Sequence, residues 1–128
     1  MPWSWDRWLD RLEEAAKTVG PLRSGDGRSF RIVQEVAFPD ARVRWQVSLA
    51  NGVVEVTREP TGVPDVLLTS EPGAAERLAS GAMTVPEAYL AGKLRVTGHL
   101  EKLIPALDVI VELQQAISVA LEADDSVL

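Results

Sequence analysis

The spacing of apolar and polar residues divides the chain into stretches of two periods. Residues 3–19, WSWDRWLDRLEEAAKTV, repeat at helical spacing. Trp5, Trp8, Leu9, Leu12, Ala16 and Val19 fall on one face, and Asp6, Arg7, Asp10, Arg11, Glu13, Glu14 and Lys17 occupy the remainder. Ser4 is placed to cap this helix, Gly20 and Pro21 to stop it, and Leu22 to Ser29 reads as a loop. From Phe30 to Arg58 the period shortens to two, which predicts a three-strand meander turning at Pro39-Asp40 and at Asn51-Gly52. Those turns set the registers: Gln34 opposes Trp45, Glu35 opposes Arg44 and Val47 opposes Val56. One face of the meander then carries Phe30, Ile32, Val36, Phe38, Val43, Trp45, Val47, Leu49, Val54 and Val56, interrupted by Gln34 and Arg58. The other holds Arg31, Glu35, Arg42, Arg44, Gln46, Ser48, Glu55 and Thr57, which predicts a sheet with one wet side and one dry side covered by helices.

Beyond the meander, Pro60 to Pro64 reads as a crossover loop and Val66 to Thr69 as a short strand. Ser70 is placed to cap a helix with Pro72 in its first turn, Leu78 as its main apolar contact and Gly81 as its stop. Thr84 and Glu87 have the spacing of a capping box, Pro86 suits a first turn, and Gly92 can close that helix. Leu94 to Thr97 predicts a strand ended by Gly98. A helix then runs to about Leu121 with Leu103, Leu107, Ile110, Ile117 and Leu121 on one side; Pro105 requires it to restart near Ile104 or to bend. Four helical segments and five strands predict an α+β fold. Its sheet is five-stranded and largely antiparallel with one face covered by helices, in a single domain spanning residues 1–128.

The second half of this pattern resembles a known family. Asp65-Val66-Leu67-Leu68-Thr69, then Leu78-Ala79-Ser80-Gly81, then Pro86-Glu87-Ala88-Tyr89-Leu90-Ala91-Gly92-Lys93-Leu94-Arg95-Val96-Thr97-Gly98, is similar in order and spacing to the C-terminal half of the SCP2-like (sterol carrier protein 2, sterol-binding) family. The resemblance covers about half the chain. It implies an apolar tunnel between sheet and helices that binds fatty acids, fatty acyl-CoA, sterols or other lipids, with no catalysis. A buried 16-carbon chain gains roughly 12 kcal/mol at ~0.8 kcal/mol per methylene, against association costs of about 4–15 kcal/mol. Micromolar binding is thus reachable without a polar contact.

On the elements that would line such a tunnel, the candidates are Trp45, Val47 and Val56 from the sheet, Leu78, Met83 and Leu90 from the middle helices, and Leu107 and Ile110 from the last. Each serves equally well as ordinary core at the same spacing. Gln34, beside Trp45 on the dry face, is the polar group placed to orient a ligand head or to satisfy backbone or water.

Composition narrows the alternatives. The chain has no cysteine, which removes disulfides, thiolate nucleophiles and zinc–cysteine sites. Its single histidine, His99, sits just past Gly98 at a strand-to-helix junction, where a polar residue is expected for ordinary reasons. No catalytic residue, metal or cofactor is expected. The net charge of −6 is concentrated in residues 59–128, opposite to what a phosphate backbone selects, so no nucleic-acid partner is expected. Tryptophans at positions 3, 5 and 8 suit a membrane interface, yet the polar face of their helix is mixed and slightly acidic rather than basic. At most transient membrane contact is expected, with that helix packed on its own domain. No run approaches 18 apolar residues, and the expected location is cytoplasmic. The rival reading is an interaction or dimerisation module, or an accessory subunit of an enzyme, with a closed ordinary core.

Overall fold

A computed structural model describes residues 4–18, 29–104, 110–116 and 119 of the 128-residue chain. The order is α1 (Trp5–Thr18), β1 (Ser29–Ala37), β2 (Arg42–Ala50), β3 (Val53–Thr57), β4 (Val66–Ser70), α2 (Pro72–Ala79), α3 (Val85–Leu90), β5 (Leu94–Gly98) and α4 (Leu100–Leu103). Residues 110–116 are also helical. The expected loop at 22–28 lies outside the described residues, as do Trp3, Pro105, Leu107, Ile117 and Leu121.

The five strands form one sheet in the order β3-β2-β1-β4-β5. The hairpin registers are those the turns dictate: Gln34 faces Trp45, Glu35 faces Arg44, and Val47 faces Val56. Asn51 and Gly52 both have positive φ, 51° and 86°, the requirement of a two-residue turn whose twist matches its strands. β4 lies parallel to β1, the one parallel pair, and β5 returns antiparallel to β4. The fold is therefore α+β with a mostly antiparallel sheet.

Local chemistry explains the remaining path. Thr84 and Glu87 form the capping box at the start of α3, each side chain meeting the other's backbone amide. Gly92, at φ 72°, closes α3 while Lys93 N–H donates to the Ala88 carbonyl. Ser70 does not cap α2. Strand pairing continues through it, to Val36 on one side and Leu94 on the other, so the helix starts one residue later with Glu71 as its N-cap and no side-chain cap bond. Gly98 has a φ of 112°, and a Cβ there would lie 2.7 Å from the Asp65 carbonyl oxygen. That oxygen accepts the His99 amide, while the Asp65 carboxylate accepts Arg31 N–H and Lys102 Nζ. The acidic residue at the start of β4 thus ties together β1, β4 and the entrance to α4. Burial pushes the Asp65 carboxyl up, but the hydrogen bonds from Lys102 and Arg31 outweigh it and hold the group below the usual carboxylate range.

The face opposite the helices is less wet than its sequence predicts, since Glu35 is 2% and Gln46 4% exposed. Arg42 and Arg44 both donate to the Glu35 carboxylate, and Thr69 Oγ1 donates to it as well. Gln46 accepts Thr61 N–H, and Arg31 donates to the Thr61 carbonyl, so the crossover loop folds over that part of the sheet.

Candidate functional site

On its helical side the sheet carries two apolar clusters instead of one. The first joins Leu9, Leu12, Ala15 and Ala16 of α1 to Val36, Trp45, Val47, Leu49 and Val54, with Ala75 of α2. The second joins Ile32, Val66, Leu68 and Leu94 to Met83, Val85 and Ala88, with Ile110 from the helical stretch 110–116. A cavity of about 90 Å³, counted as the space open to water-sized centres, takes its lining from both clusters. A single water needs roughly 10–15 Å³ by that count, so the cavity between the clusters has room for several waters. Trp8, Leu12, Trp45, Val47, Leu68 and Ile110 are among its walls.

α1 is fastened over this space by charge and by aromatic packing. The Trp45 ring lies 5.6 Å from Trp5, stacked, and 5.2 Å from Trp8, edge-on. Arg58, just past β3, donates to Glu13 and Asp10 side chains and to the Asp6 carbonyl. Asp6, Asp10 and Glu13 recur at helical spacing, so one row of α1 grips one arginine. This arginine appeared in the sequence only as an interruption of the dry face; the acidic row on α1 was the available signal for its partner.

The polar groups at the cavity are few. Trp45 Nε1 donates to Gln34 Oε1. Trp8 Nε1 is buried with no hydrogen-bond partner among the described residues. Gln114 donates to the Leu78 and Met83 carbonyls and accepts Val85 N–H, which fastens residues 110–116 to the segment joining α2 to α3. Glu35 contributes to the lining, but its carboxylate is turned to Arg44 and Arg42 on the far face. Burial pushes that carboxyl up, and the hydrogen bonds and charges of Arg44 and Arg42 more than offset this, holding it below its ordinary value.

Of the expected lining residues, Trp45, Val47, Leu78 and Ile110 meet at the cavity. Val56 is partly buried against the first cluster, and Met83, 6% exposed, is packed in the second; neither is in the lining. Leu90 is 84% exposed. In α3 the buried positions are Val85 and Ala88, and a residue two on from Ala88 lies about 200° round the helix, so Leu90 is turned outward. Leu107 lies outside the described residues. The lining residues Trp8, Leu12, Leu68, Ala75, Val85 and Leu94 were not singled out from the sequence as cavity walls. Their periodicity marks them as buried, but burial alone does not separate a cavity wall from filled core.

His99 is half exposed at 56%, with Nδ1 3.0 Å from Glu101, and it is not among the lining residues. Among the described residues no cluster of three or more His, Cys, Asp or Glu could hold a metal ion, and no helix is long and apolar enough to cross a membrane.

Comparison with known proteins agrees with this geometry. The structure is similar to that of a Thermus thermophilus protein described as a suggested sterol carrier, with TM-score 0.66, 15% identity, and 94% of this chain and 90% of that one covered. It is similar to the palmitated sterol carrier protein 2-like 2 of Aedes aegypti, with TM-score 0.63, 18% identity, and 84% and 95% covered. It also matches part of an inverting sec-alkylsulfatase from a Pseudomonas species, with TM-score 0.53 and 17% identity, covering 84% of this chain and 16% of the enzyme. No curated protein matches the sequence. The model of the SCP-2 sterol transfer family matches residues 9–104, a span from α1 to the end of α4 that includes all five strands, and the chain belongs to that family.

Proposed function

We propose that residues 1–128 act as one lipid-binding domain that binds and carries an apolar ligand between the sheet and its helical cover, without catalysis of its own. The ligand class is a fatty acid, fatty acyl-CoA, sterol or similar lipid, and the site of action is the cytoplasm. The observation that carries this reading is the cavity at the seam of the two clusters, walled mainly by apolar side chains and situated where α1 covers the sheet. A filled core of this composition would close such a gap, because interiors normally pack to crystal-like density. The palmitated relative supports a lipid as the occupant. Selectivity for chain length would be loose, since one methylene in an apolar pocket discriminates by only about 1–3 kcal/mol.

The test is to denature freshly purified protein, analyse the organic extract, and titrate the refolded chain with a fluorescent fatty acid. Bound lipid or saturable uptake is expected; neither appearing would refute the reading. A second reading, an accessory module that presents an apolar substrate to an enzyme, is favoured by the occurrence of a similar fold within the sec-alkylsulfatase chain. Co-purification of an enzyme from the native cell separates it from a free carrier.

A further inference from the structure

Resting on the reading of this cavity as a ligand site, we infer that the ligand presents an uncharged hydrogen-bond acceptor, such as a ketone, ester or alcohol oxygen, and that the Gln34 amide receives it. An indole N–H can only donate. Gln34 must therefore turn its amide oxygen to Trp45 Nε1, which fixes the side chain without ambiguity between its oxygen and nitrogen ends. The NH2 group, carrying two donors, is left as the other polar end of a residue that lines the cavity. No hydrogen bond engages it among the described residues.

Trp8 adds to the same imbalance, because it lines the cavity and its Nε1 is buried without a partner. Trp8 Nε1 is thus a buried donor lacking an acceptor among the described residues, and the Gln34 NH2, which is not sealed from solvent, is free to give a hydrogen to the same ligand oxygen. Charge separates this acceptor from a carboxylate. The arginines of this region are already committed, Arg42 and Arg44 to Glu35, and Arg58 to Asp6, Asp10 and Glu13. Among the described lining residues none is a cation, and the one charged residue, Glu35, has its carboxylate turned away to Arg42 and Arg44. An ionised head drawn into this end would lose its hydration and meet neutral donors only, whereas a ketone or ester oxygen loses little.

The experiment compares hexadecane, the methyl ketone of the same length and palmitate, each competing against a polarity-sensitive fluorescent probe at mildly alkaline pH, where a fatty carboxyl is ionised. In the unmodified protein the ketone binds roughly ten-fold tighter than the alkane, the worth of one buried hydrogen bond, and palmitate binds more weakly than the ketone. Gln34→Leu removes the amide. Gln34→Glu keeps an acceptor for Trp45 Nε1 but removes the donors. In Gln34→Glu the ketone-to-alkane ratio falls several-fold, whereas Gln34→Leu also frees Trp45 Nε1 as a donor and lowers the ratio less; a ratio is insensitive to any general loss of folded protein. A ratio near one in the unmodified protein, a ratio unaltered by both substitutions, or palmitate binding more tightly than the ketone would overturn the inference while leaving lipid binding intact. Failure of all three ligands to bind would overturn the underlying reading with it.

Discussion

Glu35 carries a buried negative charge on the face of the sheet away from the helices, satisfied by Arg44 across the hairpin, by Arg42 and by Thr69 from β4. Its folded pKa lies below the ordinary carboxylate value of 4.5, so the stability it contributes is present above that value and is lost as pH falls through the folded pKa. Breaking a buried ion pair by removing one member typically costs about 3–5 kcal/mol. Both arginines are more than half exposed, so roughly 2 kcal/mol is expected for Glu35→Gln at neutral pH after allowing for solvent screening. Denaturant melts of the two proteins should differ by that amount at pH 7 and converge as the pH drops well below 4.5, where the native side chain is itself protonated. A gap that persists undiminished in acid would mean that the charge is not the source. The pairing of Glu35 with Arg44 was legible in the sequence, because a two-residue turn leaves no freedom in the register. Its depth of burial was not, because the loop that folds over its neighbours is distant in the chain.

At the scale of elements, α1 is the cover of the cavity, and two ring contacts with Trp45 and one arginine hold it down. Arg58 is 35% exposed, and Asp6 and Asp10 are largely in solvent. Each of these ion pairs is therefore worth under about 1 kcal/mol, and Arg58→Ala is expected to cost roughly 1–2 kcal/mol in all. The more telling measurement is local. Amide hydrogen exchange in α1 should accelerate relative to β1 and β2, and tryptophan emission should shift to the red as Trp5 and Trp8 gain water. Equal acceleration throughout the sheet would show that Arg58 supports the whole fold and not the cover. The amphipathic pattern of α1 sufficed to predict a helix and a buried stripe. Its grip on β3 depended on tertiary contact over 45 residues between Glu13 and Arg58.

For the molecule as a whole, the proposed function requires the gap between the two packed clusters to stay open. Ala79, at the end of α2, lines that gap, and a phenylalanine there would occupy it. Ala79→Phe is expected to lower uptake of a fluorescent fatty acid at least ten-fold while cooperative unfolding is retained, since overpacking costs about 1–3 kcal/mol and a cavity lessens that cost. Undiminished uptake would place the ligand elsewhere on the protein.

The sequence by itself determined the strands, the hairpin registers, the capping box of α3 and the glycine-ended return through β5, because each follows from residues close together in the chain. It also brought Trp45, Val47, Leu78 and Ile110 to the helical side, since a period of two or 3.6 assigns faces. Only the tertiary structure decided which apolar residues wall a cavity and which fill the core: Met83 and Trp45 are both buried within a cluster, yet Trp45 lines the cavity and Met83 does not. A gap is a property of how separate elements meet, and no local pattern of residues records it. The outward turn of Leu90 was available from helical geometry, whereas the parallel pairing of β4 beside β1 and the closing of α1 by Arg58 became fixed only when distant segments met.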